Sequence, residues 1–222
     1  MKKFFIVVCV CVLSACKSVV FSDLNMQMPN ANLLPPLNAK VDTASVRDSF
    51  DVKYSGSAVT SYYNTSDKWG SSVDSISMIR KRDRSARDMV TLFTRNIANI
   101  SQQYGERKGT IDLRVTNSSI YNSGWYFTVP SLLSLHTLNI LGMPYQYKNT
   151  DLETEVSIYD KKGNLVWQTT VVGHGEETVA VYYGYSEDDA QALSTVKAMK
   201  NALQQVNMNI ANDFQAIQKA LK

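Results

Sequence analysis

Residues 151–172 read DLETEVSIYDKKGNLVWQTTVV. In the first ten, Leu152, Val156 and Ile158 share one parity, and Glu153 and Glu155 take the other. A period of two marks a strand with one buried face. Asp160-Lys161-Lys162-Gly163-Asn164 then supplies turn residues. Leu165 to Val172 is apolar on both parities, which predicts a second, central strand. Two strands joined by a short Gly-Asn turn form a hairpin.

Outward from this hairpin, the C-terminal side is the most regular. Gly173-His174-Gly175 reads as a turn, and Thr178 to Tyr183 as a further β-like run. Ser186 is placed to cap a helix, with Glu187, Asp188 and Asp189 in its first turn. Leu193, Val196, Met199, Leu203, Val206, Ile210, Phe214, Ile217 and Leu221 follow at gaps of three and four. Such a stripe must be covered, by the sheet or by a partner helix in a coiled coil.

On the N-terminal side, Ile111, Leu113 and Val115 alternate with Asp112 and Arg114, a strand over 110–121. Before it, Ser85 and Asp88 suggest a capping box. Met89, Leu92, Phe93, Ile97, Ile100 and Tyr104 continue as a helical stripe ending near Gly105. Phe50, Val52 and Tyr54 alternate and predict a strand ending at Gly56. The expected fold class is α/β (α+β), a two-layer sandwich of a small mostly antiparallel sheet with two long amphipathic helices.

Between the strands lies an insert, residues 125–147, with no charged side chain. Trp125, Tyr126 and Phe127 open it, and Tyr145 and Tyr147 close it. Leu132, Leu133, Leu138, Ile140 and Leu141 fill its middle. Aromatics flanking an uncharged apolar run resemble an interfacial belt, although the run is too short to span a bilayer. Three readings stay open: a core element, a membrane contact and a partner-binding patch.

The first residues set an address. Lys2 and Lys3 precede an apolar run from Phe4 to Leu13, then small residues and a cysteine. That is the order of a secretory signal peptide. Leu13-Ser14-Ala15-Cys16 resembles the lipobox of bacterial lipoproteins. The resemblance implies lipidation of the Cys16 thiol, cleavage before it and acylation of the new amino group. Lys17 after the cysteine resembles outer-membrane sorting, on the periplasmic face. The expected organisation is a signal peptide over 1–15, a lipidated tether over 16–45, broken by Pro29, Pro35 and Pro36, and one domain over 46–222.

Cleavage there removes Cys9, Cys11, Lys2 and Lys3, and lowers the formal charge from +3 to +1. A near-neutral mature chain has no global attraction for nucleic acid. It also has no thiol for a disulfide, a metal or catalysis beyond the lipid-bearing Cys16. His174 stands near Glu176 and Glu177, but a metal site needs three or four convergent ligands. No nucleophile elbow, phosphate loop or zinc-protease motif is present, so neither an enzyme nor a cofactor is expected. The basic run Arg80 to Arg87, diluted by Asp83, reads as a solvated helix entrance.

From Leu152 to Ala202, the hairpin around Asp160–Trp167 and the Ala-rich helix after it resemble the closing part of periplasmic lipoprotein modules. These are modules of the curli-secretion-lipoprotein, penicillin-binding-protein-activator and TolB N-terminal kind. The resemblance implies an assembly or accessory role in the envelope without catalysis. It adds a protein partner or self-association to the membrane contact made by the anchor. A membrane-surface or oligomeric pore module using 125–147, and a polymer-acting hydrolase, are the alternatives.

Overall fold

The computed structural model describes residues 33–56, 70–180 and 186–222, and side chains there except for residues 51–56, 70–83, 125 and 128. The signal peptide, Cys16, the tether up to residue 32 and the end of the expected 178–183 strand lie outside the described residues.

Strand β1 (Leu37–Val41) leads into helix α1 (Thr43–Gly56), and α2 (Gly70–Ile100) leads into β2 (Gly109–Ser123). A single-turn 3-10 helix (Trp125–Phe127) and the short helices α3 (Thr128–Leu133) and α4 (Thr137–Ile140) form the insert. Strands β3 (Gln146–Asp160) and β4 (Leu165–Val179) make the hairpin, and helices α5 (Glu187–Asn212) and α6 (Phe214–Ala220) close the chain. The sheet order is β1-β2-β3-β4, with β1 parallel to β2 and the other pairs antiparallel. The helices cover one face, so the two-layer α+β sandwich holds.

The core lies where period-two strands meet helical stripes. Ile111, Leu113, Val115, Leu152, Val156, Ile158 and Val171 face inward from the sheet. Met199, Leu203, Val206 and Ile210 face them from α5, and Met89, Phe93 and Ile97 from α2. The long C-terminal stripe is therefore covered by the sheet and by α2. Ser186 caps α5 as its sequence suggests, its hydroxyl accepting from the Asp189 N–H at 3.3 Å. Where α2 meets α5, Asn96 and Asn207 donate to each other's carbonyls at 2.8 Å each, deep in the core. This reciprocal pair satisfies two buried amides at once.

The seam between α5 and β4 is unusually close. A Cβ added at Gly173 would stand 2.1 Å from the Ala198 carbonyl oxygen, and one at Gly175 2.0 Å from that of Ser194. The helix presents Ser194, Ala198 and Ala202 to this seam, four residues apart, so small side chains meet bare backbone. The glycines therefore sit inside β4 and make room for a helix; the turn expected at 173–175 is not there.

Alongside runs a second stripe with the same spacing. Lys197 donates to the Glu176 carbonyl at 3.0 Å, and Gln205 to that of Val172 at 2.7 Å. Asn201 accepts from the His174 N–H at 3.1 Å, Asn209 donates to Thr169 at 2.8 Å and the Trp167 indole donates to Asp213 at 2.8 Å. Strand β4 is thus an edge strand, not the central one its apolar character suggests, and β3 is central. Polar side chains of α5 occupy backbone groups that an edge would otherwise expose.

Three further expectations are corrected. Residues 33–45 belong to the fold and not to the tether: Leu34 and Leu37 are buried, and Leu34 bridges Ser101. The segment around Phe50 is helix α1. Asp42 accepts from the Ser45 N–H at 3.1 Å at its start, and Val46 and Phe50, one turn apart, are both buried. Helix α2 begins at Gly70, so Ser85 is a buried mid-helix residue and the basic run lies within the helix.

Gly173→Ala is expected to lower stability by about 2–3 kcal/mol, because the helix must move away from the strand. Urea unfolding monitored by circular dichroism measures it; an unchanged midpoint contradicts the packing. Asp112 gives a pH-dependent expectation. Burial pushes its carboxyl above the usual range, against the attraction of Lys40, and one of its oxygens has no hydrogen-bond partner among the described residues. A carboxyl raised in the folded state contributes stability below its unfolded pKa and loses it as pH rises through its folded one. Asp112→Asn should therefore stabilise the protein at neutral pH, with a gain that shrinks as pH falls into the carboxylate range, as measured by thermal melts across pH.

Candidate functional site

The insert leaves the sheet at Ser123 and returns at Gln146, so it sits at the end of the long β2–β3 ladder. Gly124, with φ +88°, turns the chain out of β2. Phe127 then packs edge-on to Tyr147 with ring centroids 5.6 Å apart, and Tyr126 lies 4.5 Å from Phe127. The Tyr145 N–H donates to the Val179 carbonyl at 2.8 Å, which ties the returning chain to β4.

Beyond this neck the usual arrangement is inverted. The buried side chains are Ser131 and Asn139. The Ser131 hydroxyl donates to the side-chain amide oxygen Oδ1 of Asn139 and lies 2.8 Å from Nδ1 of His136. Asn139 donates to the Met143 carbonyl at 3.2 Å and to that of Pro144 at 3.3 Å. The apolar side chains point outward: Leu133, Leu135 and Leu141 are 81–82% exposed, and Leu132, Ile140 and Val129 more than half exposed. Leu135 and His136 both hold positive φ, 49° and 65°. Bulky residues rarely adopt that region, and here it aims Leu135 out of the lobe.

The sequence candidates divide accordingly. Leu132, Leu133, Ile140, Leu141 and Tyr126 lie on the open surface, and Leu138 and Tyr145 on its margin. Phe127 and Tyr147 are half-buried in the neck. The Trp125 side chain and Cys16 lie outside the described residues. Ser131 and Asn139, which organise the lobe, were not sequence candidates; their only signal is polarity at intervals along an apolar run.

A second cluster occupies the sheet face that carries no helix. His174 Nδ1 lies 2.7 Å from Asp151 Oδ1, across the β3–β4 ladder. The Tyr121 phenol is held above its usual range by partial burial, then by the charge of Asp151 and its hydrogen bond to that carboxylate, then by Glu176. Among the described residues no three His, Cys, Asp or Glu side chains are grouped to hold a metal. An open cleft of about 320 Å³ between α1 and β2 is lined by Ser45, Asp48, Ser49 and Arg114. No helix of the described residues is long and apolar enough to cross a membrane.

No protein-family model matches the chain, and no curated protein matches it. Among solved structures, a "putative lipoprotein" from Caulobacter crescentus CB15 overlaps 77% of this chain and 96% of its own, at 10% identity and a TM-score of 0.36. A minor lipoprotein from Acinetobacter baumannii overlaps 60% of this chain and 86% of its own, at 12% identity and a TM-score of 0.33. Both overlaps are loose.

The inverted lobe makes an inverted mutational pattern. Leu133→Asp and Leu141→Asp are each expected to change global stability by less than about 0.5 kcal/mol, as surface substitutions do. Asn139→Leu, though more apolar, should cost about 1–3 kcal/mol in the lobe by removing the acceptor of the Ser131 hydroxyl and the donor to the Met143 and Pro144 carbonyls. Chemical denaturation and proteolytic nicking within 130–144 distinguish the two; nicking enhanced in both aspartate variants and not in Asn139→Leu contradicts the arrangement.

Proposed function

We propose that this chain is a bacterial envelope lipoprotein, anchored through lipid on Cys16 and working without catalysis as an assembly or accessory module. It engages another envelope component through the lobe at 125–147. The observation that carries this reading is the lobe's exposed apolar surface, rigidly supported by Ser131 and Asn139. Exposed apolar patches of this continuity mark interaction surfaces. The Leu13–Cys16 lipobox supports the address, and Lys17 supports the periplasmic face of the outer membrane. The accessory role agrees with the envelope modules that the hairpin and closing helix resemble.

In this reading the Asp151–His174 pair is a cross-strand contact that ties the open face, not a catalytic dyad. The α+β body is a rigid holder for the lobe at one end and for the anchor at the other.

The test is the intact mass and detergent partitioning of the cell-expressed protein beside a Cys16→Ala variant. The expected result is a mature chain beginning at Cys16, heavier by a diacylglycerol and an acyl chain, with both modifications absent from the variant. A native protein of unmodified mass overturns the proposal.

A further inference from the structure

The lobe's backbone says what its surface meets. From Ser134 to Met143, each N–H donates to a partner inside the lobe: Leu138 to the Ser134 hydroxyl, and the other nine to lobe carbonyls. Ser134 and Thr137 hydroxyls also turn inward, donating to the Ser131 and Ser134 carbonyls at 3.1 and 2.6 Å. This closes the donor side of the lobe backbone. A segment entering hydrocarbon needs such closure, because each unsatisfied backbone group there costs several kcal/mol.

Three further observations agree. From Gly124 to Tyr147 there is no charged side chain. No Asp, Glu, Lys or Arg rims the patch, and its exposed polar side chains are those of His136 and Thr137. Tyr126 and Tyr145 stand half-exposed at the neck, below the leucines, at the level where amphipathic rings sit in headgroups. The anchor can also reach. In β2, Gly109 pairs with Leu37 near the start of the described chain, and Ser123 opens the lobe, so the two lie at opposite ends of a strand about 48 Å long. The 18 residues from Cys16 to Leu33 span at most about 60 Å however they are arranged.

We infer that the lobe is a second, lipid-contacting element, which seats Leu132, Leu133, Leu135 and Leu141 in the acyl region of the leaflet that holds the Cys16 lipid. A body standing on the Leu37 end would hold the lobe a full strand length from the leaflet, so the body either lies along the membrane or stands on its lobe, and the tether is long enough for both. This rests on the anchored reading above and adds the nature of the lobe's partner.

The mature acylated chain has no free thiol, so one cysteine can be placed at will. Leu133→Cys and, as control, Lys162→Cys in the exposed β3–β4 turn are labelled with an environment-sensitive fluorophore. The acylated proteins are reconstituted in phosphatidylethanolamine/phosphatidylglycerol vesicles with and without acyl-chain spin-labelled lipid, after far-UV circular dichroism has shown both to be folded. The expected result is a blue-shifted emission at position 133, quenched at least threefold more than that at position 162. Equal quenching at the two positions overturns the inference. A blue shift at 133 that grows with protein density and is not quenched by lipid assigns the lobe to a second copy of the chain; the inference then fails while the interaction reading stands. An emission at 133 identical to that in water removes both readings of the lobe, and the mass measurement still decides the anchor separately.

Discussion

The structure depends on the close approach of α5 to β4. A helix normally rests on a sheet through two layers of side chains. Here Gly173 and Gly175 remove one layer, and Ala198 and Ala202 thin the other. The backbone of the helix comes against the backbone of the strand. That proximity brings Lys197, Asn201 and Gln205 within reach of the β4 edge, where they bind its outward carbonyls and N–H groups. Packing and edge closure therefore come from two neighbouring stripes on one helix, each with a four-residue repeat. Larger residues at the seam would lift the helix and uncover the edge together.

The same logic operates on β2. Strand β1 pairs with it only up to Leu113, so the ladder would be open beyond that point. Ser45 and Ser49 of α1 take over, contacting the N–H and carbonyl of Val115 at 3.1 and 3.3 Å, beside a bulge between Val115 and Asn117. Ser118 returns a hydrogen bond to the Ser49 carbonyl at 2.7 Å. A protein that spends polar side chains on its strand edges is built against unplanned association. Against that background, a lobe that turns its leucines outward and its serine and asparagine inward is a feature of the design and not a packing failure. It concentrates the apolar surface at one end of the ladder, away from the end where Leu34 and Leu37 bring the chain into the fold.

Much of this was legible in the sequence. The period-two runs at 110–121 and 151–160 name their strands, because each has one covered face, and the apolar stripe after Ser186 names its helix, although that stripe runs on from α5 into α6 across a break at Asp213. The errors have a common cause. Val172 and Leu165 made β4 look two-sided, yet both are more than half exposed, and only the fold shows that one helix covers a single face and the edge. Gly173 and Gly175 look like turn residues because a glycine reports small size and conformational freedom alike. Phe50, Val52 and Tyr54 fit a strand as well as a helix; the deciding feature is Val46 and Phe50, a turn apart in the core. In the insert, composition revealed the uncharged apolar run but not which way it faces, since that depends on hydrogen bonds between Ser131, His136 and Asn139 that no spacing announces.

The central claim is that a helix-on-glycine seam holds the fold while the lobe stands outside its core. Native-state hydrogen exchange tests this most directly. Amides of β3, those of β4 that bond to β3, and those of the Ser194–Ala202 face of α5 should exchange only with global unfolding, and those of 134–143 should open at a clearly lower free energy while the rest stays folded. Lobe amides that exchange only with the seam, in one cooperative event, would place the insert in the core and contradict the account.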